Sequence, residues 1–180
     1  LNFLLRLSLK GVKEMALFCK EMASPVGKLN LIANANALVA IRLERERPDR
    51  LRLDAPSADE DHPILLEAER QLVDYFAGKR TTFELPIEPL GTEFQKKIWG
   101  YLRTIPFGNT KTYGDIARTV GSPRASRAVG AACGKNPLAI VVPCHRVVGA
   151  NRALTGFAGG VEIKAELLAL EARASGSITT

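Results

Sequence analysis

The residue in this chain best placed for covalent chemistry is Cys144, because of what stands beside it in Pro143-Cys144-His145-Arg146. The thiolate is the nucleophilic form of cysteine, and a free thiol is ionised only to a small extent at neutral pH. Pro143 removes a backbone donor and stiffens the turn, which can hold the thiol toward a cavity. His145 can serve as a base, and Arg146 adds positive charge that favours thiolate. Side chains adjacent in sequence do not generally hydrogen-bond each other, so His145 is expected to reach the thiol through a water. The pattern reads as a nucleophilic cysteine; the alternative is a small, buried, inert one. Residue types alone do not name the electrophile.

The other candidates read as structural. Cys133 falls on the small-residue face of a helix and Cys19 in a strand-like apolar segment, and both are expected to pack. His62 precedes Pro63 at a helix start and is expected at the surface or as a cap. Trp99 has core spacing. Three cysteines, with no CxxC and with both histidines remote from any cysteine pair, exclude a disulfide framework and a zinc site. They point to a reducing compartment. No apolar run is long enough to span a bilayer. Charge is uneven. Residues 1–89 carry 13 Lys/Arg against 14 Asp/Glu, and residues 90–180 carry 12 against 5. A basic C-terminal half fits contact with a polyanion.

The elements that must position Cys144 follow from apolar spacing and punctuation. Residues 27–43 form two apolar segments around Asn34-Ala35-Asn36, a β-hairpin pattern. Residues 44–61 are rich in charge, Pro and Ser, and read as an exposed loop. Pro63 opens an amphipathic helix that stops at Gly78. Residues 82–85 are a strand candidate, and Pro86 to Pro89 a linker. Phe94, Ile98, Trp99, Leu102 and Ile105 give a helix that ends before Pro106. A short helix at about 114–120, a break at Gly121-Ser122-Pro123, and a second helix with Pro123 in its first turn make a helix-turn-helix pattern. Arg124, Arg127 and Lys135 are expected to project from that second helix. An apolar run, Ile140 to Val142, leads into Cys144, and a helix over 161–174 closes the fold. The expected class is α+β: a β-hairpin or sheet with a helix over 15–89, then a helical part with the helix-turn-helix and active-site loop over 90–174. Residues 1–14 are read as an extension before Met15, and 175–180 as a tail.

Around Pro143-Cys144-His145-Arg146-Val147 the chain resembles the O6-alkylguanine-DNA alkyltransferase family. The likeness extends, in order, through Phe94-Gln95, Ile98-Trp99, Ile105-Pro106-Phe107-Gly108, Thr112-Tyr113-Gly114, Arg127 to Ala132, Asn136-Pro137, Gly156 to Gly160 and Lys164. It implies a self-alkylating, single-turnover repair protein that needs no metal or organic cofactor. Cys144 accepts an alkyl group from O6-alkylguanine, and O4-alkylthymine is a further possible donor. His145 acts as base through a water, Glu171 orients His145, and Asn136 fixes the active-site turn. Tyr113, Val147, Phe157 and Ala158 are the implied base pocket, for a nucleotide flipped out of the duplex. Phe94, Gly114, Ser122, Arg124, Ala125, Ser126, Arg127 and Lys135 are the implied DNA contacts, with Arg127 filling the gap in the stack. The implied partner is double-stranded DNA bound through its minor groove by a monomer, in the cytoplasm, or in the nucleus of a eukaryote. The chain departs from the family pattern at Phe157, often Tyr there, and at Ala172, usually Gly. Two rival readings are a cysteine hydrolase using Cys144 and His145, and a non-enzymatic helix-turn-helix damage sensor; family members of the sensor kind lack the reactive cysteine.

Overall fold

A computed structural model describes residues 16–176, so the reading of residues 1–14 lies outside the described residues, as does most of the tail. The chain opens with β1 (Phe18–Met22), β2 (Leu29–Ala33) and β3 (Leu38–Leu43), then β4 (Ser57–Ala58) and helix α1 (Pro63–Phe76). The sheet order is β3-β2-β1-β4, antiparallel except for β1 with β4. Asn34 makes the hairpin turn, its side chain accepting from the Asn36 and Ala37 amides at 2.8 Å. Leu65, Ala68, Leu72 and Tyr75 line the buried face of α1 and pack on Leu29, Leu31, Leu38 and Ile41. Leu66 and Val73, apolar by type, face outward.

The second part holds α2 (Glu93–Leu102), β5 (Lys111–Thr112), α3 (Tyr113–Thr119), α4 (Ser126–Gly134), a 3-10 turn at Cys144–Arg146, β6 (Val147–Val148) and α5 (Val161–Ala174). Reciprocal capping boxes start α2 (Thr92 with Gln95) and α3 (Thr112 with Asp115), satisfying amide donors that a helix start leaves free. Gly91 has no side chain because one would meet the Trp99 ring at 2.4 Å. Trp99 is core, as its spacing suggests, and its Nε1 donates to the Ala132 carbonyl at 2.9 Å, tying α2 to α4. Helices α3 and α4 form the helix-turn-helix. Gly121, at φ +79°, makes the turn. Pro123 and Arg124 belong to that turn and not to the second helix, which begins at Ser126. The Ala125 amide bonds Ser122 instead, at 2.9 Å.

Two other expectations change. Residues 82–85 form no strand; the neighbouring Pro86-Ile87-Glu88 docks beside β3 instead. The Leu38 amide donates to the Pro86 carbonyl and the Glu88 amide to the Leu38 carbonyl, each at 2.9 Å. Prolines are tolerated there because Ile87 flanks an edge strand. Nor are residues 44–61 simply exposed. Leu51 and Leu53 cover the back face of the sheet, over Ile32, Val39 and Ala40.

One hydrophobic core runs through both parts, from Leu29 and Leu72 to Trp99, Val142, Cys144 and Leu167. The sheet and the segment leading to Cys144 are also joined by hydrogen bonds. The Ile41 amide donates to the Pro137 carbonyl at 2.8 Å. Arg50 is nearly buried, bonds Glu46 at 2.7 Å, and donates to the Asn136 carbonyl at 2.7 Å. Removing one partner of a buried ion pair leaves the other charge uncompensated. Arg50→Met is therefore expected to cost about 3 kcal/mol, read as a lower urea midpoint. Arg50→Met/Glu46→Gln should recover part of that loss; no recovery would show that the Glu46 charge is not the source.

Candidate active site

Cys144 begins the 3-10 turn and is 5% exposed. The approach to it is unusual. Ile140 holds φ +72°, a conformation that disfavours β-branched residues, so the surrounding packing must enforce it. Asn136 is the organiser. Its Oδ1 accepts from the Leu138 amide at 3.0 Å, and its Nδ2 donates to the Val142 carbonyl at 2.8 Å and to Cys144 Sγ at 3.1 Å. A single amide side chain thus closes the loop and holds the sulfur.

His145 and Glu171 are both fully buried. His145 Nε2 lies 2.7 Å from Glu171 Oε1. Arg146 grips the same carboxylate with Nε at 2.9 Å and Nη2 at 3.0 Å, while its Nη1 donates to the Ile105 carbonyl at 2.6 Å. The Tyr75 hydroxyl donates to Oε1 at 2.8 Å, and the Gly108 amide to Oε2 at 3.0 Å. Burial alone would raise the Glu171 carboxyl, but bonds from His145 and Arg146 overcome it and hold it at about 2. Burial lowers His145 from its ordinary value against the pull of Glu171, so the imidazole rests neutral. With Nε2–H donating to the carboxylate, Nδ1 carries the lone pair, and it has no hydrogen-bond partner among the described residues.

Burial also pushes the Cys144 thiol up, opposed by Asn136, Lys164 and Arg50. The positive charge near the sulfur is therefore not Arg146, as the sequence suggested, because Arg146 is paired with Glu171. Lys164 is fully buried and donates to the Val147 carbonyl and, at 2.7 Å, to the Thr155 carbonyl.

Two family models cover almost the whole described chain: 6-O-methylguanine DNA methyltransferase, ribonuclease-like domain, over residues 17–89, and the DNA binding domain of the same name over residues 93–173. The chain belongs to the 6-O-methylguanine DNA methyltransferase family. It is 46% identical over 149 residues to the methylated-DNA–protein-cysteine methyltransferase of Methanosarcina acetivorans, covering 82% of this chain and 94% of that one. It is also 46% identical to the constitutive enzyme of that name from Bacillus subtilis, over 82% of this chain and 91% of the relative. The crystal structure of Mycobacterium tuberculosis O6-methylguanine methyltransferase superposes with TM-score 0.79 at 41% identity, covering 88% and 94% of the two chains. The Mycobacterium tuberculosis OGT solved in complex with DNA gives 0.77 at 41% identity, covering 87% of this chain and 94% of that one.

The remaining residues implied by the family pattern fall on two sides of α4. Tyr113, Gly114, Ser126 and Arg127 line an open cavity of about 620 Å³ between α3 and α4. Phe94, Lys135, Phe157 and Ala158 line a cleft of about 770 Å³ on the other side, and Gly130 borders both. Ser122, Arg124 and Ala125 line a shallow apolar depression at the helix-turn-helix turn. Cys144 lines none of the three. Val147 is fully buried and meets the site through its carbonyl. Tyr113 is half-buried, its hydroxyl donating to the Thr155 carbonyl at 3.2 Å. His62 does occupy the N-cap position of α1, yet it is buried, makes no side-chain cap, and stacks on Phe18 at 4.9 Å. Among the described residues no group of His, Cys, Asp and Glu could hold a metal ion, and no helix is long and apolar enough to cross a membrane.

Sequence reasoning gave no site role to three residues that bear on Cys144 or Glu171. Tyr75 follows Leu65, Ala68 and Leu72 at helical spacing, which signals burial but not where its hydroxyl goes. Lys164 interrupts the apolar stripe of α5. Arg50 carried no local signal.

The Glu171 cluster makes a pH prediction. The group is held at about 2 when folded against an ordinary 4.5. The stability it contributes is complete above pH 4.5 and is lost as pH falls toward 2, about 3 kcal/mol in all. Glu171→Gln should be less stable at pH 7 and should show a flatter decline on acidification, measured as urea midpoints. Parallel declines in the two proteins would mean that another group governs acid unfolding.

Proposed function

We propose that this protein repairs DNA by moving the alkyl group of O6-alkylguanine onto Cys144 Sγ, one group per chain. The observation that carries the reading is the arrangement at the sulfur. Cys144 Sγ is held by Asn136, and the next residue is a neutral imidazole locked by Glu171 with Nδ1 free. A water between Nδ1 and the thiol would take the thiol proton to His145 as the sulfur attacks. The S–C bond forms, the C–O6 bond breaks, and guanine leaves with that electron pair. The imidazolium then faces the Glu171 carboxylate at 2.7 Å, which stabilises it. The Tyr113 hydroxyl turns from the Thr155 carbonyl to the arriving base and assists protonation of the leaving group. The product is a thioether, with no simple route back to thiol.

O6 is out of reach in a stacked duplex, so the nucleotide must be flipped. Arg127 is exposed on α4, where it lines the 620 Å³ cavity, and fills the space left behind. Gly156, Phe157 and Ala158 line the 770 Å³ cleft through which the base enters. Cys144 is nearly covered, so this segment shifts as the base arrives. Phe157 supplies ring packing without a hydroxyl. The α4 surface is built from Ala128, Gly130, Ala131 and Gly134, small enough to sit in a minor groove, where little sequence is read. The reading places a monomer wherever the cell keeps its DNA, cytoplasm or nucleus. Relatives named as methyltransferases favour it over the hydrolase and the sensor.

Duplex DNA with radiolabelled O6-methylguanine should pass label to the protein, mapped to Cys144 and stopping at one equivalent. Cys144→Ala should bind DNA and take up none. Label beyond one equivalent refutes self-alkylation. Arg127→Ala should slow transfer from duplex by roughly tenfold or more, the scale of losing one flipping contact of a few kcal/mol. Transfer from free O6-benzylguanine should fall far less. Equal losses would remove Arg127 from the flipping step.

A further inference from the structure

The 770 Å³ cleft beside α4 has a second wall that the helix-turn-helix does not supply. It comes from the loop after β3, with Arg45, Arg47 and Asp49 facing Lys135 of the α4 end and Phe94 of α2. Arg45, Arg47 and Lys135 are exposed, and none makes an ion pair or side-chain hydrogen bond among the described residues. Neighbouring arginines differ: Arg50 is paired with Glu46, Arg118 with Asp115 at 2.6 Å, and Arg146 with Glu171. Of the acids near the loop, Glu46 is buried in its ion pair, Glu44 accepts from the Lys28 amide, and only Asp49 lines the cleft. Three uncompensated cations thus face one acid across an open cleft. Their charge repels itself unless an anion enters.

We infer that Arg45 and Arg47 grip the sugar–phosphate backbone of the DNA strand lying along this side of α4, so the N-terminal sheet shares in holding the duplex. The inference rests on the DNA reading above and adds a contact surface to it. A helix seated in a groove has a phosphate strand on each flank. On one flank, the 620 Å³ cavity offers the α3 start, Arg118, already paired with Asp115, and Arg127, which the reading above commits to the base stack. On the other flank the free cations are Lys135 and the two loop arginines. Arginine suits the role because its planar fork meets phosphate oxygens in pairs. The loop is held in place for this: Arg50, three residues beyond Arg47, is anchored to the Asn136 carbonyl at 2.7 Å. DNA held by Arg45 and Arg47 therefore bears on the same segment that fixes Cys144.

The test is the salt dependence of duplex binding by the full chain, read by fluorescence anisotropy from about 50 to about 300 mM salt. Each phosphate contact contributes about 0.9 to the slope of log affinity against log salt. Arg45→Gln/Arg47→Gln should therefore flatten the slope by about 2, making its binding deficit roughly tenfold smaller at about 200 mM than at about 50 mM. Its thermal midpoint should stay at the wild-type value, since both side chains are exposed and unpaired. Arg45→Lys/Arg47→Lys should restore most of the slope. Lys28→Gln/Lys79→Gln removes the same charge elsewhere and should leave it unchanged. An unaltered slope in the glutamine variant, or an equal change in the Lys28/Lys79 control, overturns the inference. If the slope responds as expected but wild-type protein takes no label from O6-methylguanine DNA, the alkyl-transfer reading fails and the backbone contact stands.

Discussion

A carboxylate with no access to water must find its hydrogen bonds inside the protein, and in this fold Glu171 finds them from three separate pieces of chain. Tyr75 comes from α1 on the sheet side, Gly108 from the turn after α2, and His145 and Arg146 from the active-site turn, while Glu171 itself belongs to α5. Breaking such a cluster by removing one member leaves a buried charge or donor unsatisfied, which costs several kcal/mol. The cluster therefore sets the relative position of the sheet part and the helical part as much as the shared apolar core does. It also leaves Nδ1 of His145 as the nitrogen that carries the lone pair. The tie between the two parts and the orientation of the imidazole are one interaction.

The thiol follows from the same economy of polar groups. Burial raises Cys144, and Asn136, Lys164 and Arg50 oppose that rise without the help of Arg146, which the carboxylate holds. The resting nucleophile is consequently neutral and protected, in contrast to the exposed thiolates that oxidise readily. In the proposed mechanism, activation is coupled to arrival of the base, through a neutral imidazole and a proton path. That arrangement suits a protein whose sulfur reacts only once. A standing thiolate would be open to every oxidant and electrophile between synthesis and use.

Much of this was readable from residue order. Pro63 and Gly78 bracket α1, the spacing of Ile163, Leu167 and Leu170 outlines α5, and Asn34 and Asn36 mark the hairpin turn. These succeed because each depends on local backbone preference or on one periodic face. The misses share a cause of the opposite kind. Residues 82–85 have strand composition, but it is the next three residues that find the edge of β3. Pro123 fits a helix start by type, yet the Ala125 amide bonds the Ser122 carbonyl and extends the turn past it. Charged residues 44–61 look solvated until Leu51 and Leu53 meet the back of the sheet and Arg50 meets Asn136. At the site, Cys144 and His145 announced themselves as neighbours, whereas Glu171 and Asn136 entered through family resemblance alone. Tyr75 lies 96 residues from the carboxylate it serves, and no local pattern records that distance.

The long-range ties also explain why the chemistry sits between two structural parts and not within one. A helix-turn-helix can present α4 to a duplex without a sheet, even where the loop after β3 adds cations beside it. Holding a sulfur at a fixed point beside α4 does need one. The segment from Asn136 to Cys144 contains a left-handed Ile140 and so stores strain of about 1–3 kcal/mol. The sheet braces it, through Ile41 to Pro137 and Arg50 to Asn136, and α5 braces the turn at its end, through Glu171 to His145 and Arg146. With either brace removed, the strain is free to relax and the sulfur to drift. Since a displacement of about 1 Å can cost a hundredfold in rate, the sheet contributes to the reaction without any of its strands touching the reacting atoms.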